Sequence, residues 1–381
     1  MRIALDVRFV TDTFPGIGRY AYNLARALAL LRTSHELIYI HAPAARNTRY
    51  DMAALLRLPG VMALAAPPAL SIAGQAALPA LLRLARADVY HAPYYLLPYA
   101  GLPCPAVVTL HDTIPHLFPG ESSWRARLMF GLLSRLALHA AQGIITVSRR
   151  SRDDIVQLYG VPRVRVEVVY EAADEHFRPA DPASVAALRA RYRLPEIYVL
   201  CVASDKPHKN LATLLEAWDM LQNVNRCEPS ASNARPSAFN LQRPNLILAG
   251  HRTQQSVVPE TATIRDLGPV AEEDMAALFS GAALFVYPSR YEGFGLPPLE
   301  AMACGTPVIC SRAGSLPEVA DDAVLLVDPD DPGELAATIA RVLEDSALQA
   351  ALRAAGLMRA AQFSWRRTAE QTLAVYERVV L

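Results

Sequence analysis

Lysine is almost missing from this chain. Of its 37 basic residues only Lys206 and Lys209 are lysines, both within the run Lys-Pro-His-Lys. Positive charge is otherwise written as arginine, so two neighbouring lysines mark a place that wants a compact ammonium, as at a phosphate. An excess of charge is missing too. The 37 acidic residues balance the 37 basic ones, which argues against a nucleic-acid binder held by a basic surplus. Cysteines are few: Cys104, Cys201, Cys227, Cys304 and Cys310, with no CxxC pair. Neither a disulfide framework nor a zinc site is indicated, and reduced thiols of a cytoplasmic protein are expected. No signal-peptide pattern precedes the strand-like Arg2-Ile3-Ala4-Leu5-Asp6-Val7. The uncharged stretch Leu58 to Leu82 is cut by Pro59, Pro67, Pro68 and Pro79. Its longest proline-free piece, Ala69 to Leu78, falls short of the about 20 apolar residues that a spanning helix needs. It reads as a buried strand, a turn and a short helix.

What is present is core-forming. Hydrophobic residues make up 52% of the 381 and charged residues 19%, enough to exclude disorder and to build two or three domains. Short apolar strands alternate with amphipathic helices. Strands are expected at 2–7, 36–41, 61–66, 106–110, 143–147 and 165–169, then at 197–202, 245–250, 283–287, 307–310 and 324–327. Helices are expected near 18–31, 124–140, 149–159, 210–222, 272–280, 297–304, 332–344 and 346–361. Alternation of this kind means parallel sheets covered on both faces. The fold class is α/β: two doubly wound Rossmann-like domains facing across a cleft, 1–178 and 179–363, divided near Phe177-Arg178-Pro179-Ala180-Asp181-Pro182. An amphipathic helix over about 364–381 is expected to pack back on the first domain. The polar, Ser/Asn/Pro-rich segment 222–243 reads as a surface insertion without chemistry.

In open parallel sheets, ligands sit beyond the carboxyl ends of the strands, so those positions are inspected first. After the first strand comes Gly16-Ile17-Gly18-Arg19-Tyr20-Ala21. It matches a dinucleotide fingerprint, but its loop is too long and no acid ends the second strand. What survives is a pair of glycines before a helix, exposing amides to an anion or a sugar. His111-Asp112 follows the 106–110 strand, with His111 a candidate general base or hydroxyl binder, and His91 is similarly placed. The richest segment is Val286-Tyr287-Pro288-Ser289-Arg290-Tyr291-Glu292-Gly293-Phe294-Gly295-Leu296-Pro297-Pro298-Leu299-Glu300. A buried strand ends, a glycine loop follows, and prolines open a helix. Amides around Phe294, Gly295 and Leu296 suit a diphosphate. Glu292 and Glu300 suit the diols of a sugar and of a ribose.

These motifs resemble, in order and over nearly the whole chain, the retaining glycosyltransferases of the GT-B fold, family 4. Glu292 to Glu300 looks like the family's E-x7-E. Gly16 to Tyr20, His111-Asp112, Pro207-His208-Lys209-Asn210, Ala303-Cys304-Gly305-Thr306-Pro307-Val308 and Gly314-Ser315-Leu316-Pro317-Glu318 are similar to its other blocks. The resemblance implies catalytic His111 and Glu292. It also implies donor binding by Gly16, Gly18, Lys206, Lys209, Phe294, Gly295, Leu296 and Glu300, and acceptor binding by Asp112 and His91. Many members carry an arginine six positions before the lysine. Here that position is Ala203, which leaves Lys206 or Arg290 to supply the charge.

The expected activity is transfer of a hexose from a nucleotide sugar to a hydroxyl of a glycan or lipid-linked acceptor in polysaccharide biosynthesis. No cofactor and no metal are expected. Asp328-Pro329-Asp330-Asp331 reads as a helix-start turn rather than a metal clamp. GDP-mannose is the favoured donor, because Thr109 to Pro115 and Tyr94 to Pro98 are similar to bacterial mannosyltransferases of polysaccharide assembly. Another GT-B enzyme acting on UDP-sugars, such as an epimerase, or a non-catalytic sugar-nucleotide binder are the other readings. Residues 1–178 carry 19 arginines against 13 acids, a balance of +6. Ser122 to Arg152 hold Arg125, Arg127, Arg135, Arg149, Arg150 and Arg152 and no acid, with Trp124, Leu128, Leu132, Leu133 and Leu136 between them. This half is the one expected to approach an anionic surface, a peripheral contact with the inner face of a membrane. If the apolar stripe were core, the arginines would be an ordinary solvated face.

Overall fold

Two all-parallel sheets organise the chain in the computed structural model, which describes residues 1–224, 244–252 and 260–381. The first sheet comprises β1 (Arg2–Asp6), β2 (Glu36–His41), β3 (Val61–Ala65), β4 (Val89–Ala92), β5 (Ala106–Thr109), β6 (Gly143–Thr146) and β7 (Val166–Val168). Its spatial order is β3-β2-β1-β4-β5-β6-β7. The second comprises β8 (Tyr198–Val202), β9 (Asn245–Ala249), β10 (Ile264–Asp266), β11 (Leu284–Tyr287), β12 (Val308–Ser311) and β13 (Leu325–Val327), in the order β10-β9-β8-β11-β12-β13. In both sheets the order runs outward from the first strand and then reverses, the doubly wound pattern with a switch point beside that strand. The inner strands are unbroken apolar runs, such as Leu284–Tyr287 and Tyr198–Cys201, buried on both faces by the crossover helices.

The chain divides into two compact units, Met1–Ala172 with Phe363–Leu381, and Ala173–Gln362. The division falls before the proline-rich stretch expected to mark it. Residues 173–178 group with the second unit, where the Phe177 ring meets Phe279 edge-on with centroids 5.9 Å apart. The closing helix, Trp365–Val380, belongs to the first unit: Trp365, Ala369, Val375 and Tyr376 enter one core with Ile3, Leu5, Tyr20, Leu24 and Tyr39. Ser364 caps it by accepting from the Arg367 N–H at 3.2 Å.

Some elements differ from those expected, and the helix Pro182–Tyr192 was not foreseen at all. β4 and β10, of four and three residues, are too short to show a period. β3 is an edge strand with Met62, Ala63 and Ala65 exposed rather than a buried one; its outer side has no neighbour in the sheet. The helix after it is longer than expected, Ile72–Leu84, and carries Pro79 inside. Of the expected insertion at 222–243, residues 222–224 end the helix Leu211–Val224, and the rest lies outside the described residues.

Candidate active site

The second unit's switch point lies between β8 and β11, and the residues following those two strands meet there. After β8 a 3-10 turn, Pro207–Lys209, ends on Asn210 in the left-handed region at φ 58°. Asn210 holds the loop by donating to the carbonyls of Pro288 (3.0 Å) and Pro329 (2.6 Å). The turn thereby presents Lys209 to the loop after β11. The Lys209 ammonium donates to both carboxylate oxygens of Glu292 at 2.8 Å and to the Tyr287 hydroxyl at 3.1 Å. An ammonium has three N–H groups, and all three are directed at these acceptors. Burial would raise the Glu292 pKa, but Lys209 and the hydroxyl of Ser289 outweigh it and hold the carboxyl below its ordinary value.

The loop that carries Glu292 is pinned from below. Ser289 donates its hydroxyl to the carbonyls of His208 and Tyr291, both at 3.0 Å. Ser315, after β12, donates to the carbonyls of Glu292 (3.0 Å) and Phe294 (2.6 Å). Gly295 follows at φ +106°, open to glycine alone at low cost, and caps the helix Leu296–Ala303. Pro297 and Pro298 bring no N–H to the first turn, so Leu296 supplies a first-turn amide that helix geometry leaves without an intrahelical acceptor. Phe294 is buried beside it. Glu300 lies in the second turn of this helix, 3% exposed. Lys206 is exposed at the start of the 3-10 turn. Arg290 is ion-paired with Asp330 at 2.7 Å.

One cation here escaped the sequence reading. Arg252, following β9, is clamped by both oxygens of Asp266 (2.8 and 3.1 Å) and donates to the carbonyl of Ala203, the position where an arginine was missing. Nothing in the residues around Arg252 signals this, because β9, β8 and β10 are joined only in the folded sheet. The Asp328–Asp331 carboxylates are each engaged locally: Asp331 accepts from the Glu334 N–H that opens the next helix, Asp328 from the Asp330 N–H, and Asp330 from Arg290. Among the described residues no three His, Cys, Asp or Glu side chains are grouped to hold a metal ion.

In the first unit the expected residues have different surroundings. His111 ends the β5 segment with Nδ1 at 3.2 Å from Glu171 Oε1 and Nε2 at 3.0 Å from the Pro93 carbonyl. Both partners are acceptors, so the site favours a ring that carries hydrogen on both nitrogens. Burial pushes its pKa down, but the hydrogen bond and charge of Glu171, with the Pro93 carbonyl, raise it above the ordinary value. In this arrangement His111 is better placed to donate to a hydroxyl than to take a proton as a general base. Glu171, which sequence reasoning passed over, is its partner. His91 is corrected more strongly. It is fully buried, its Nδ1 2.6 Å from the Tyr376 hydroxyl and its Nε2 2.8 Å from that of Thr109, and burial pushes its pKa down to about 3. An acceptor cannot touch it. Asp112 accepts from the Ile114 N–H at 2.9 Å and so shapes the following turn.

Gly16 and Gly18 lie inside the first turns of the helix Pro15–Leu30, not before it. The Gly18 N–H is spent on the Phe14 carbonyl at 2.7 Å. A Cβ at Gly18 would stand 3.1 Å from the Phe9 carbonyl, so this glycine permits close packing against the β1 loop and offers no amide to a donor. Gly16 is exposed. Beneath it, Arg8 and Asp6 form a fully buried pair at 2.7 Å, with Tyr90 donating to Asp6 at 2.9 Å.

Comparison with known proteins agrees with this geometry. Residues 188–358 match the family described as glycosyl transferases group 1, and residues 15–177 match glycosyltransferase family 4. The chain is 34% identical over 401 aligned positions to O-antigen chain mannosyltransferase B of Escherichia coli, covering 99% of this chain and 100% of that one. Among solved structures, sucrose-phosphate synthase of Thermosynechococcus elongatus superposes with TM-score 0.74 at 22% identity, over 99% of this chain and 98% of that one. HepE of Anabaena, solved in complex with UDP-glucose, gives 0.71 at 21%, over 99% and 100%. The chain therefore belongs to the family 4, group 1 glycosyltransferases of the GT-B fold, and is a nucleotide-sugar-dependent hexosyltransferase.

Proposed function

We propose that the chain transfers mannose from GDP-mannose, with retention of configuration, to a hydroxyl of a glycan or lipid-linked acceptor in polysaccharide biosynthesis. The observation that carries this reading is the Lys209–Glu292 pair at the second unit's switch point, beside the amide of Leu296 at a helix start. Mannose is supported by the 34% identity to an O-antigen chain mannosyltransferase along the full length.

In the proposed reaction the bond from the sugar's anomeric carbon to the diphosphate breaks, and a bond to the acceptor oxygen forms on the same face. The acceptor's proton passes to the departing phosphate oxygen, so no covalent nucleophile is required. The growing charge on the diphosphate is the main demand on the protein. Lys209 and the first-turn amide at Leu296, with Gly295 and Phe294 shaping the loop, answer it. To do so Lys209 must surrender one of its three N–H groups from Glu292 or Tyr287, which leaves the carboxylate able to accept a sugar hydroxyl. Glu300 is assigned to the ribose diol. Lys206 is assigned to the rim of the diphosphate site. The first unit is assigned to the acceptor, with Asp112 and the His111–Glu171 pair ordering its strand-end loops. The reaction is proposed to run without a metal ion, and at the cytoplasmic face of a membrane.

The test is direct. With a panel of GDP- and UDP-sugars and a polysaccharide acceptor, GDP-mannose should turn over fastest, EDTA should leave the rate unchanged, and the anomeric NMR coupling of the product should match that of the donor. An inverted product or preference for a UDP-sugar would overturn the respective part, and conversion of donor without acceptor would indicate an epimerase.

A further inference from the structure

We infer that the helix Trp124–Ala140 docks the first unit on an anionic lipid bilayer. The apolar stripe on this helix is not core. Trp124, Leu128, Met129, Leu132 and Leu136 are 63%, 65%, 55%, 51% and 39% exposed, while Phe130, Ser134, Ala137 and Leu138 on the other side are buried. At 3.6 residues per turn the five exposed side chains fall in one sector, and Arg125 and Arg135 fall within it. Both arginines are exposed, and the Arg125 guanidinium lies 5.4 Å from the centre of the Trp124 ring. Arg127 lies outside the sector, toward the covered side, and donates to the Pro119 carbonyl at 2.7 Å. On the next helix Arg150 pairs with Asp154, and Arg152 shares Asp153 with Arg163, while Arg149 opens that helix exposed and adds to the basic character of this side.

Charge decides the occupant. No acid occurs between Ser122 and Arg152. A second copy docked through the same face about a two-fold axis would oppose Arg125 and Arg135 to their own counterparts with no carboxylate from this helix between them. A bilayer with anionic headgroups accepts both features at once. The leucines and the indole enter the acyl boundary, and the arginine stems lie along it with guanidinium groups at the phosphates. Neither the donor site nor the identity of the sugar enters this argument.

The chain carries its own reporter, because Trp218 and Trp365 are 1% and 7% exposed and Trp124 alone of the three tryptophans faces solvent. The full-length protein is mixed with phosphatidylglycerol–phosphatidylcholine vesicles and with pure phosphatidylcholine vesicles, at low and high salt. It should sediment with the anionic vesicles only, less so in high salt, with a blue shift of tryptophan emission that Trp124→Phe abolishes. Leu128→Ser with Leu132→Ser, and separately Arg125→Gln with Arg135→Gln, should each weaken binding by about tenfold or more while turnover on a soluble acceptor is unchanged. Negligible binding to both vesicle types, equal binding to both, or undiminished binding by both double variants overturns the inference. So does a dimer in sedimentation velocity that Leu128→Ser with Leu132→Ser dissolves. Because binding is read without catalysis, its failure leaves the donor-site reading untouched.

Discussion

Lys209 illustrates why a cation's shape matters as much as its sign. Its ammonium fits between two carboxylate oxygens and a phenol, with 17% of the side chain exposed. A guanidinium is planar and larger, and cannot make this three-way contact from the same backbone position. Lys209→Arg should therefore keep the charge and lose kcat/KM by about tenfold or more; near-normal turnover would remove the argument for the surviving lysines. Glu292→Gln should reduce kcat more than donor affinity, whereas Glu300→Gln should mainly weaken nucleotide binding, each by the about 1.5–3 kcal/mol of a charged hydrogen bond. The opposite pattern in steady-state kinetics would exchange their roles. His111 and Glu171 make a pH prediction. A histidine whose folded pKa is raised contributes stability that is fully present below its unfolded value near 6.5 and is lost as pH rises through the folded value. Denaturant melts between about pH 6 and about pH 9 should show this alkaline loss, and Glu171→Gln should flatten it. An unchanged slope in that variant would mean that Glu171 does not set the charge of His111.

At the scale of elements, a strand-end side chain that a one-dimensional reading would assign to ligand binding can instead tie neighbouring elements together. His91 is the clearest case. Its position after Asp88-Val89-Tyr90 looked like that of a ligand-facing residue, yet its ring joins β4, β5 and the closing helix through Thr109 and Tyr376. Tyr376→Phe should cost stability by about 1–3 kcal/mol, as expected when a buried partner is left unsatisfied, while the acceptor KM is unchanged. An acceptor-binding defect would instead restore a functional role to His91. Five helices of the second unit were legible almost to the residue because their signals are local, as where Asp331 and Asp345 cap the helices Pro332–Glu344 and Ser346–Ala360, whereas the helix Pro182–Tyr192 was not foreseen. β4, β10 and the exposure of β3 were not, since each depends on which strands lie beside it.

At the scale of the molecule, the chain crosses between its two units and returns. The closing helix buries Trp365 and Tyr376 in the core that contains β1, so removing residues 363–381 should lower the melting temperature of the first unit. Residues 363–381 group with the first unit rather than with Ala173–Gln362, so the second unit's transition should stay in place. Calorimetry of the truncated protein resolves the two, and an unshifted first transition would contradict the packing. The apolar periodicity, the glycine loop before Leu296 and the lone pair of lysines come from neighbours in the chain, so the α/β class, the two-sheet organisation and the Glu292–Glu300 segment could be read from the sequence by itself. Folding alone decided that Lys209 is bound to Glu292, that His111 lies between Glu171 and the Pro93 carbonyl, that His91 is inside, and that the stripe from Trp124 to Leu136 faces outward. Each of these joins residues from separate strands, or depends on which helix face the sheet covers, and local sequence encodes neither.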